Sequence, residues 1–296
     1  MLRHLGYVAI ALSIDATTSH TCRLRNATPE RLRELIAMNL EGLDQVLRFN
    51  LEQRIFLYRI TSMLIPFGSH PVNRLRWWEE FEDELAAIGW FIREQDMRVS
   101  MHPGQFTVLS SPRPEVVNSA VDEIDWHVRL LDTLDVDDSC KVIIHIGGTY
   151  GDKPAAMRRF VEVANDLPER HRARLVIEND ERVYTAEDAV AISSETGLPV
   201  VFDWLHHRAN SGETDDETDL IARCFATWRE QDGIPKIHLS SQVPEGPIGK
   251  HADWVDPADL ESFLALAPDQ PFDCMLEAKR KDQALFKLRQ DLGLSN

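Results

Sequence analysis

The chain has 296 residues, 43% of them hydrophobic and 27% charged, so it can bury the core of one large domain or two small ones. Its 32 basic and 49 acidic residues give a net charge of −17, which argues against a protein that coats nucleic acid through a generally basic surface. No apolar run is long enough to span a membrane, and the four cysteines form no CxxC pair. These features favour a cytoplasmic protein with reduced thiols and no membrane partner.

Strand-like and helix-like segments alternate from the N-terminus onward. Residues 5–12 predict a first strand rather than a signal peptide, because the basic region before them is thin and no small-residue cleavage site follows. Thr28-Pro29 then predicts a helix start, with helical periodicity to about Gln53. The next predicted strands are 55–60, 98–102 and 141–145, and the next predicted helices are 73–96, 114–134 and 154–170.

The second half of the chain continues the same alternation. A capping-box sequence at 185–188 opens one of its helices. Eight strand–helix units without a linker predict a single-domain (β/α)8 TIM barrel over residues 1–296. An open doubly wound sheet is the competing fold, but no GxGxxG follows the first strand. The predicted strands of this half are 174–178, 200–202, 235–239 and 272–277, and further helices are predicted at 217–231, 256–267 and 283–292.

Ionisable side chains recur where the predicted strands end, which is where barrels carry their chemistry. Asp203 and His206 follow the sixth strand and can share a target only if the chain leaves strand geometry between them. The alternatives are that Asp203 is only a helix N-cap and that His207 takes the place of His206. The other residues of this kind are His70, His102, His145, Glu178, Lys236, His238, His251, Glu277 and, just beyond the last strand, Lys279.

Ionisable groups on consecutive strands predict a metal centre, because buried charges are costly unless they are paired or metal-bound. Five histidines and three carboxylates exceed one tetrahedral shell, so we expect two or three divalent ions. Glu178 or Asp203 is free to bridge them. Mixed imidazole and carboxylate ligands fit Mn²⁺ or Zn²⁺, with Mg²⁺ as a further option, and closely spaced metals suit phosphoryl chemistry.

Seven motifs make the chain resemble one known family. HPGQF, HIGGTYGDK, VIEND, FDWLHH, KIHLSSQ, HADW and MLEAK occur in the order and spacing of the UV damage endonuclease family, and the match runs from Leu5 to about Lys281. That family is a TIM barrel related to endonuclease IV. The resemblance implies an enzyme with a cluster of divalent metals, most often Mn²⁺, that nicks damaged double-stranded DNA immediately 5′ of ultraviolet photoproducts. We separately expect the protein to be a monomer.

The resemblance also implies roles for individual residues. Gln105 and Phe106 match a wedge that probes the damaged bases, and Phe106 replaces the family's tyrosine. Tyr7 and Lys279 match positions near the lesion. The metal ligands implied are His102, His145, Glu178, Asp203, His206, His238, His251 and Glu277, and the catalytic residues implied beside Glu178 are His70 and Lys236.

Three alternatives to this function remain open at the level of sequence. An abasic-site endonuclease of the endonuclease IV type would share the scaffold, but the probing pair Gln105-Phe106 favours ultraviolet lesions. A metal-dependent sugar isomerase would hold two metals with similar ligands and act without DNA. A non-catalytic protein that binds damaged DNA would bind the lesion and never nick it.

Overall fold

A computed structural model describes residues 1–213 and 216–294 of the chain. Within this part, parallel strands pair in sequence order and the first closes against the last. The predicted (β/α)8 barrel is therefore confirmed. Its strands are β1 (Leu2–Val8), β2 (Leu57–Ile60), β3 (Arg98–Met101), β4 (Lys141–His145), β5 (Leu175–Glu178), β6 (Val200–Asp203), β7 (Lys236–Leu239) and β8 (Phe272–Leu276).

Helices surround the barrel and bury their apolar faces against it. Thr28 caps the first of them by accepting a hydrogen bond from the backbone of Arg31, as the Thr28-Pro29 signal predicts. None of the helices in the described ranges is long and apolar enough to cross a membrane. The helices are α1 (Pro29–Glu52), α2 (Trp77–Glu80), α3 (Glu82–Glu94), α4 (Pro114–Thr133), α5 (Lys153–Asp166), α6 (Glu169–Arg174), α7 (Ala186–Thr196), α8 (Trp204–Ala209), α9 (Glu217–Ala226), α10 (Pro257–Leu266) and α11 (Lys281–Asp291).

Several element boundaries differ from the predicted ones for local backbone reasons. The first strand lies at Leu2–Val8 rather than at 5–12, because Ala9 takes a positive φ of 68° and turns the chain out of strand geometry. The helix predicted at 73–96 is two helices, since the buried Phe81 between them has φ −120° and ψ 30°. Pro168 ends the helix predicted at 154–170, and α6 begins after it.

Buried ion pairs lie inside the barrel near the N-terminal ends of the strands, which we call its lower end. Arg98 on β3 donates to Asp273 on β8 at 2.9 Å, and both side chains are almost completely buried. Lys141 on β4 similarly contacts Asp232 at 2.7 Å. These charges are compensated by one another, so the lower end of the barrel holds paired charges, whereas the strand ends above carry a denser cluster.

Candidate metal centre

The first group of ligand-type side chains lies where β3, β4 and β5 end. His145 and Glu178 are neighbours in the register of β4 and β5, and each is the last residue of its strand. His102 directly follows β3. The Oε2 atom of Glu178 lies 3.0 Å from Nε2 of His102 and 3.6 Å from Nε2 of His145. The ligand atoms of this trio all lie within 4.8 Å of one another, which is close enough for one ion.

A second group uses the other oxygen of Glu178. Its Oε1 lies 2.5 Å from Nδ1 of His238, and Asp203 and His238 are register neighbours on β6 and β7. Glu178, Asp203 and His238 also have their ligand atoms within 4.8 Å of one another. Glu178 is therefore shared by the two groups, as a carboxylate that bridges two ions must be.

Asp203 combines the two alternatives that the sequence left open. β6 ends at this residue and α8 begins at Trp204, so the chain leaves strand geometry as required. Its Oδ1 caps α8 by accepting from the backbone N–H of His206 at 2.7 Å. Its Oδ2 is buried and has no hydrogen-bond partner among the described residues. An unpaired buried carboxylate oxygen is costly, so this atom fits a cation ligand.

His206 rather than His207 faces the cluster. The Nδ1–H group of His206 donates to the carbonyl of Asn179 at 3.0 Å, which leaves Nε2 as the free nitrogen, and its ring centre is 5.9 Å from that of His145. His207 is turned away and lies 3.3 Å from Glu217. The placement agrees with the preference for His206.

Glu277 and His251 complete the ring of predicted ligands. Glu277 follows β8, and its Oε1 lies 3.3 Å from Nδ1 of His238. His251 donates from Nδ1 to the backbone carbonyl of Glu277 at 2.8 Å, and its ring centre is 5.7 Å from that of His206. The structure thus brings all eight predicted ligands to one mouth of the barrel.

Burial and neighbouring charges shift the pKa values of Glu178 and Asp203 in opposite directions. Burial opposes ionisation of Glu178, but the imidazoles of His238 and His145 outweigh it and hold its pKa well below the usual range. Burial raises the pKa of Asp203 to about 7, and the charge of Glu178 adds to that rise although His206 counteracts it. Several carboxylates in one buried space repel one another, and cations would remove that repulsion.

The pKa values of the cluster histidines indicate where a positive charge is favoured. Burial lowers the pKa of His145 and brings that of His238 to about 4, so both are neutral, as ligands must be. Burial also acts to lower the pKa of His206, but Asp203 and Glu178 overcome it and raise the pKa to about 9. A proton on His206 therefore stands where a metal ion would supply positive charge, and the residues present fit divalent cations.

Arg59 is a site residue that the sequence analysis missed. Its guanidinium on β2 lies 2.5 Å from Oε1 of Glu277 and 2.6 Å from Nε2 of His238. A guanidinium only donates, so Nε2 of His238 accepts and the Nδ1–H group donates to Glu178. The signal was a lone charge within the apolar strand 55–60, which the search for strand-end residues passed over.

Asn179 holds two of the strand ends together. Its side-chain oxygen accepts from the backbone N–H of Asp203 at 2.8 Å, and its amide donates to the carbonyl of Asp203 at 3.1 Å. Its own carbonyl orients His206. The residue is visible in the VIEND motif, but its orienting role depends on the neighbouring strand and so required the tertiary structure.

Lys236 lies inside the barrel below the cluster. It is 1% exposed, and its Nζ atom has no hydrogen-bond partner among the described residues. Burial, together with the positive charges of Arg98 and Arg59, keeps its pKa well below the usual value. An uncharged amine is chemically distinct from the lysines at the surface, and a catalytic role for Lys236 remains a prediction.

Two further predicted residues lie outside the cluster. Tyr7 is fully buried, and its hydroxyl donates to Asn50 of α1 at 2.8 Å, so a contact with a lesion would require the side chain to leave this pocket. His70 is exposed on the loop after β2, where Nδ1 accepts from the backbone of Val72 at 3.0 Å. The predicted roles of Tyr7 and His70 stay predictions.

The remaining predicted residues lie on exposed loops at the strand-end face. Gln105 and Phe106 follow β3, and the Phe106 side chain is 84% exposed. Lys279 follows β8 and lies 3.5 Å from Asp253. An aromatic side chain held in solvent beside a metal-type cluster is available for contact with a ligand, which is compatible with the wedge role expected of it.

Comparison with known proteins agrees with this arrangement. The family model described as UV-endonuclease UvdE matches residues 3–295. The UV DNA damage endonuclease of Clostridium perfringens is 36% identical over 285 residues, which cover 96% of this chain and 69% of that protein. The crystal structure of SacUVDE superposes with a TM-score of 0.91 at 34% identity, covering 98% of this chain and 99% of the other.

Barrels with low sequence identity to this chain share its fold but do not indicate its function. The structure of L-ribulose 3-epimerase superposes with a TM-score of 0.57 at 14% identity, covering 98% of this chain and 86% of the other, and so shares only the fold. The family model, by contrast, spans almost the whole length together with every motif at the strand ends. The chain belongs to the UV-endonuclease UvdE family.

Proposed function

We propose that this chain is a metal-dependent DNA repair endonuclease. It hydrolyses the phosphodiester bond immediately 5′ of cyclobutane pyrimidine dimers and 6-4 photoproducts, leaving 3′-hydroxyl and 5′-phosphate ends. The observation that carries the proposal is Glu178, whose two oxygens face two separate groups of ligand-type side chains. Its substrate is damaged double-stranded DNA, on which it acts as a monomer in the cytoplasm.

The cofactor in this proposal is a set of two or three divalent ions, most consistent with Mn²⁺. Each group combines imidazole nitrogens with carboxylate oxygens within 4.8 Å of one another, a mixture of ligands that suits Mn²⁺. Zn²⁺ and Mg²⁺ are the alternatives. When bound, such ions neutralise the charge of a phosphate and lower the pKa of a coordinated water. The residues that would hold them are His102, His145, Glu178, Asp203, His206, His238, His251 and Glu277.

Side chains and backbone groups next to the proposed ligands orient them and supply further charge. Asn179 accepts from Nδ1–H of His206, which leaves Nε2 of that ring for a cation. Arg59 occupies Nε2 of His238, so a cation would take the place of the proton on Nδ1 of that ring. Lys236 lies two positions before His238 on the same face of β7, where it either offsets phosphate charge or carries a carboxylated side chain. His70, on the loop after β2, is proposed to act close to the cleaved phosphate.

Recognition of the lesion would rest on exposed loops above the cluster. Gln105 and Phe106 would enter the duplex at the damaged step, where stacking on an aromatic ring is worth about 1–3 kcal/mol per base. A photoproduct weakens base stacking, so displacing it costs less than displacing normal bases. Tyr7 and Lys279 are proposed as further contacts near the lesion.

The proposal is tested with an oligonucleotide duplex that carries one defined photoproduct. We expect a single nick 5′ of the lesion with Mn²⁺, no nick with chelator, and no nick in the undamaged duplex. Glu178→Gln should lower the nicking rate by at least about 100-fold, because it removes the carboxylate that both groups share. Glu261→Gln, at an exposed position of α10, is the matched control and should nick as the wild type does.

Three outcomes would overturn the assignment. Equal cleavage of damaged and undamaged duplex would remove the damage specificity. Preferential cleavage of the same duplex with an abasic site in place of the photoproduct would transfer the chain to the abasic-site class. Full activity of Glu178→Gln would remove the proposed metal arrangement.

A further inference from the structure

The basic side chains that lack a partner are concentrated at one end of this acidic protein. Most of its arginines and lysines contact a carboxylate or a carbonyl oxygen. Among the described residues, the exposed basic side chains without any hydrogen bond, ion pair or ring contact are Arg23, Arg25, Arg158 and Lys250. In a chain of net charge −17, unneutralised cations on one surface are a local exception.

Their positions relate them to the metal centre. Arg23 and Arg25 lie on the segment between β1 and α1, and Lys250 lies after β7, directly before His251. Arg158 is in the second turn of α5, which follows β4. Segments that follow barrel strands lie at the carboxyl ends of those strands, the same end as the cluster. The unpartnered basic side chains therefore lie toward the end of the barrel that carries the cluster.

The segment that carries the two arginines is anchored by buried groups. The carboxylate of Asp282 accepts from the backbone N–H groups of Leu12 at 2.6 Å and Ser13 at 3.0 Å. Asn39 of α1 accepts from the backbone N–H of His20 at 2.6 Å. Both Asp282 and Asn39 are fully buried, so they attach this segment firmly to α11 and α1.

Close backbone packing adds to the anchoring. A Cβ atom at Gly42 of α1 would lie only 2.2 Å from the carbonyl oxygen of Thr17, so the segment rests directly on the helix. A short 3-10 helix at Leu24–Asn26 then sets the backbone at the arginines. Because this backbone is already fixed, binding through the two arginines orders their side chains but not the loop, which favours binding.

Neighbouring arginines on α1 show the contrast. Arg31 contacts Glu34 at 2.8 Å, and Arg33 contacts Glu80 at 2.6 Å. These two cations are neutralised within the protein, although they follow Arg23 and Arg25 closely along the chain. The pair on the loop is thus the one left available for an external anion.

We propose that Arg23 and Arg25, together with Lys250, bind phosphates of the DNA backbone outside the lesion, on damaged and undamaged duplex alike. This rests on the proposed function, which makes duplex DNA the substrate. Phosphate contacts position a protein on DNA without reading its sequence, and each releases counterions, so the binding weakens with salt. The acidic remainder of the surface repels DNA, which restricts the contact to this rim.

The test compares two double variants with the same change in net charge. Arg23→Gln/Arg25→Gln removes the free pair, and Arg31→Gln/Arg33→Gln removes the neutralised pair. The dissociation constant of each protein, with Mn²⁺ bound, is measured by fluorescence anisotropy on an undamaged duplex between about 50 and 200 mM salt. The free-pair variant should show a log–log salt slope shallower by about 1.8 and bind about 60-fold more weakly at 0.1 M salt, at about 0.9 per phosphate.

The control variant should keep the wild-type slope, and Lys250→Gln should reduce it by about 0.9. Equal slopes for the two double variants would overturn the inference, as would wild-type binding that does not depend on salt. Nicking of a photoproduct duplex by the wild type is measured in parallel. Its absence would overturn the proposed function while leaving the comparison of slopes intact, so the two failures are distinguishable.

Discussion

Asp203 shows how one side chain serves two purposes through its two oxygens. Oδ1 caps α8, and Oδ2 is buried without a hydrogen-bond partner within the described part of the chain. The cap locates the start of α8 and thereby places His206 beside Glu178, at 3.9 Å between Nδ1 and Oε1. A helix cap and a ligand are therefore compatible roles, and capping is part of how the cluster is assembled.

Arg59 offers a prediction at the same scale. Arg59→Lys keeps the positive charge but loses the planar fork that contacts both Glu277 and His238. We expect the affinity for Mn²⁺, measured by calorimetric titration, to fall about 10- to 100-fold, as for other residues that orient ligands.

Arg48→Lys is the control for this experiment, because Arg48 forms an exposed pair with Asp44 at 2.7 Å far from the cluster. Exposed pairs of this kind contribute little, so its Mn²⁺ affinity should match that of the wild type. Wild-type affinity in Arg59→Lys as well would show that the guanidinium does not orient the ligands.

At the level of elements, short strands and the segments after them divide the work. β2 to β7 are only four or five residues long, and each leads directly into the residues that form the cluster or its rim. The strands supply register, which makes His145 and Glu178 neighbours, whereas the following loops supply exposed groups such as Phe106. Rigid strand ends suit the geometry that metals require, and loops suit contact with a large substrate.

The loop after β3 leads to a prediction about lesion recognition. Phe106→Ala removes an 84% exposed ring, so the melting temperature should stay at the wild-type value. Nicking of photoproduct DNA should lose about 1–3 kcal/mol in kcat/KM, the worth of one stacking contact, and Phe106→Tyr should retain it.

Trp90 provides the matched aromatic control. It is 56% exposed on α3, at the end of the helix that leads into β3 and so away from the mouth. Trp90→Ala should leave nicking unchanged. An equal loss of nicking in Trp90→Ala would mean that exposed aromatic area in general, and not the β3 loop, is responsible.

Across the whole molecule, buried charges are paired at one end of the barrel, whereas negative charge is in excess at the mouth. The N-terminal ends of the strands hold tight pairs such as Arg98 with Asp273. The mouth holds the buried carboxylates of Glu178 and Asp203 and the partly buried Glu277, which contacts the guanidinium of Arg59. Such a site is stabilised by whatever cation enters it, because binding to the folded state alone raises the free energy of unfolding.

Metal-induced stability should therefore depend on pH. His206 has a folded-state pKa of about 9, above the ordinary 6.5, because the nearby carboxylates overcome the effect of burial. In the metal-free protein, the stabilisation that comes from protonated His206 is fully present below pH 6.5 and is lost as the pH rises through 9. A cation must displace that proton, so the rise in unfolding free energy caused by Mn²⁺ should be larger at pH 8 than at pH 7, by up to about 1.4 kcal/mol.

Urea unfolding with and without Mn²⁺ at the two pH values measures this difference. His4→Gln, at the N-terminal end of β1, should keep the increment, whereas His206→Gln should lose it. An equal metal effect at both pH values in the wild type would show that no proton is displaced from His206.

The residue order was enough to predict the barrel and most of the candidate site. Apolar runs separated by helical periodicity defined the order of strands, and ionisable residues at the run ends identified His102, His145, Glu178 and their partners. Both signals are local, because a strand or a helix start depends on nearby residues. Boundaries were less certain for the same reason: nothing in the apolar run 5–12 shows that Ala9 turns the chain.

Only the tertiary structure decided which side chains meet. That Glu178 faces two groups, that Arg59 reaches Glu277, and that Tyr7 points to Asn50 instead of the mouth all depend on closure of β1 against β8 and on strand register. Contacts between residues far apart in the chain arise from packing, which is a property of the closed barrel as a whole. Alternation along a strand predicts that a side chain changes face, but not which neighbour it will contact there.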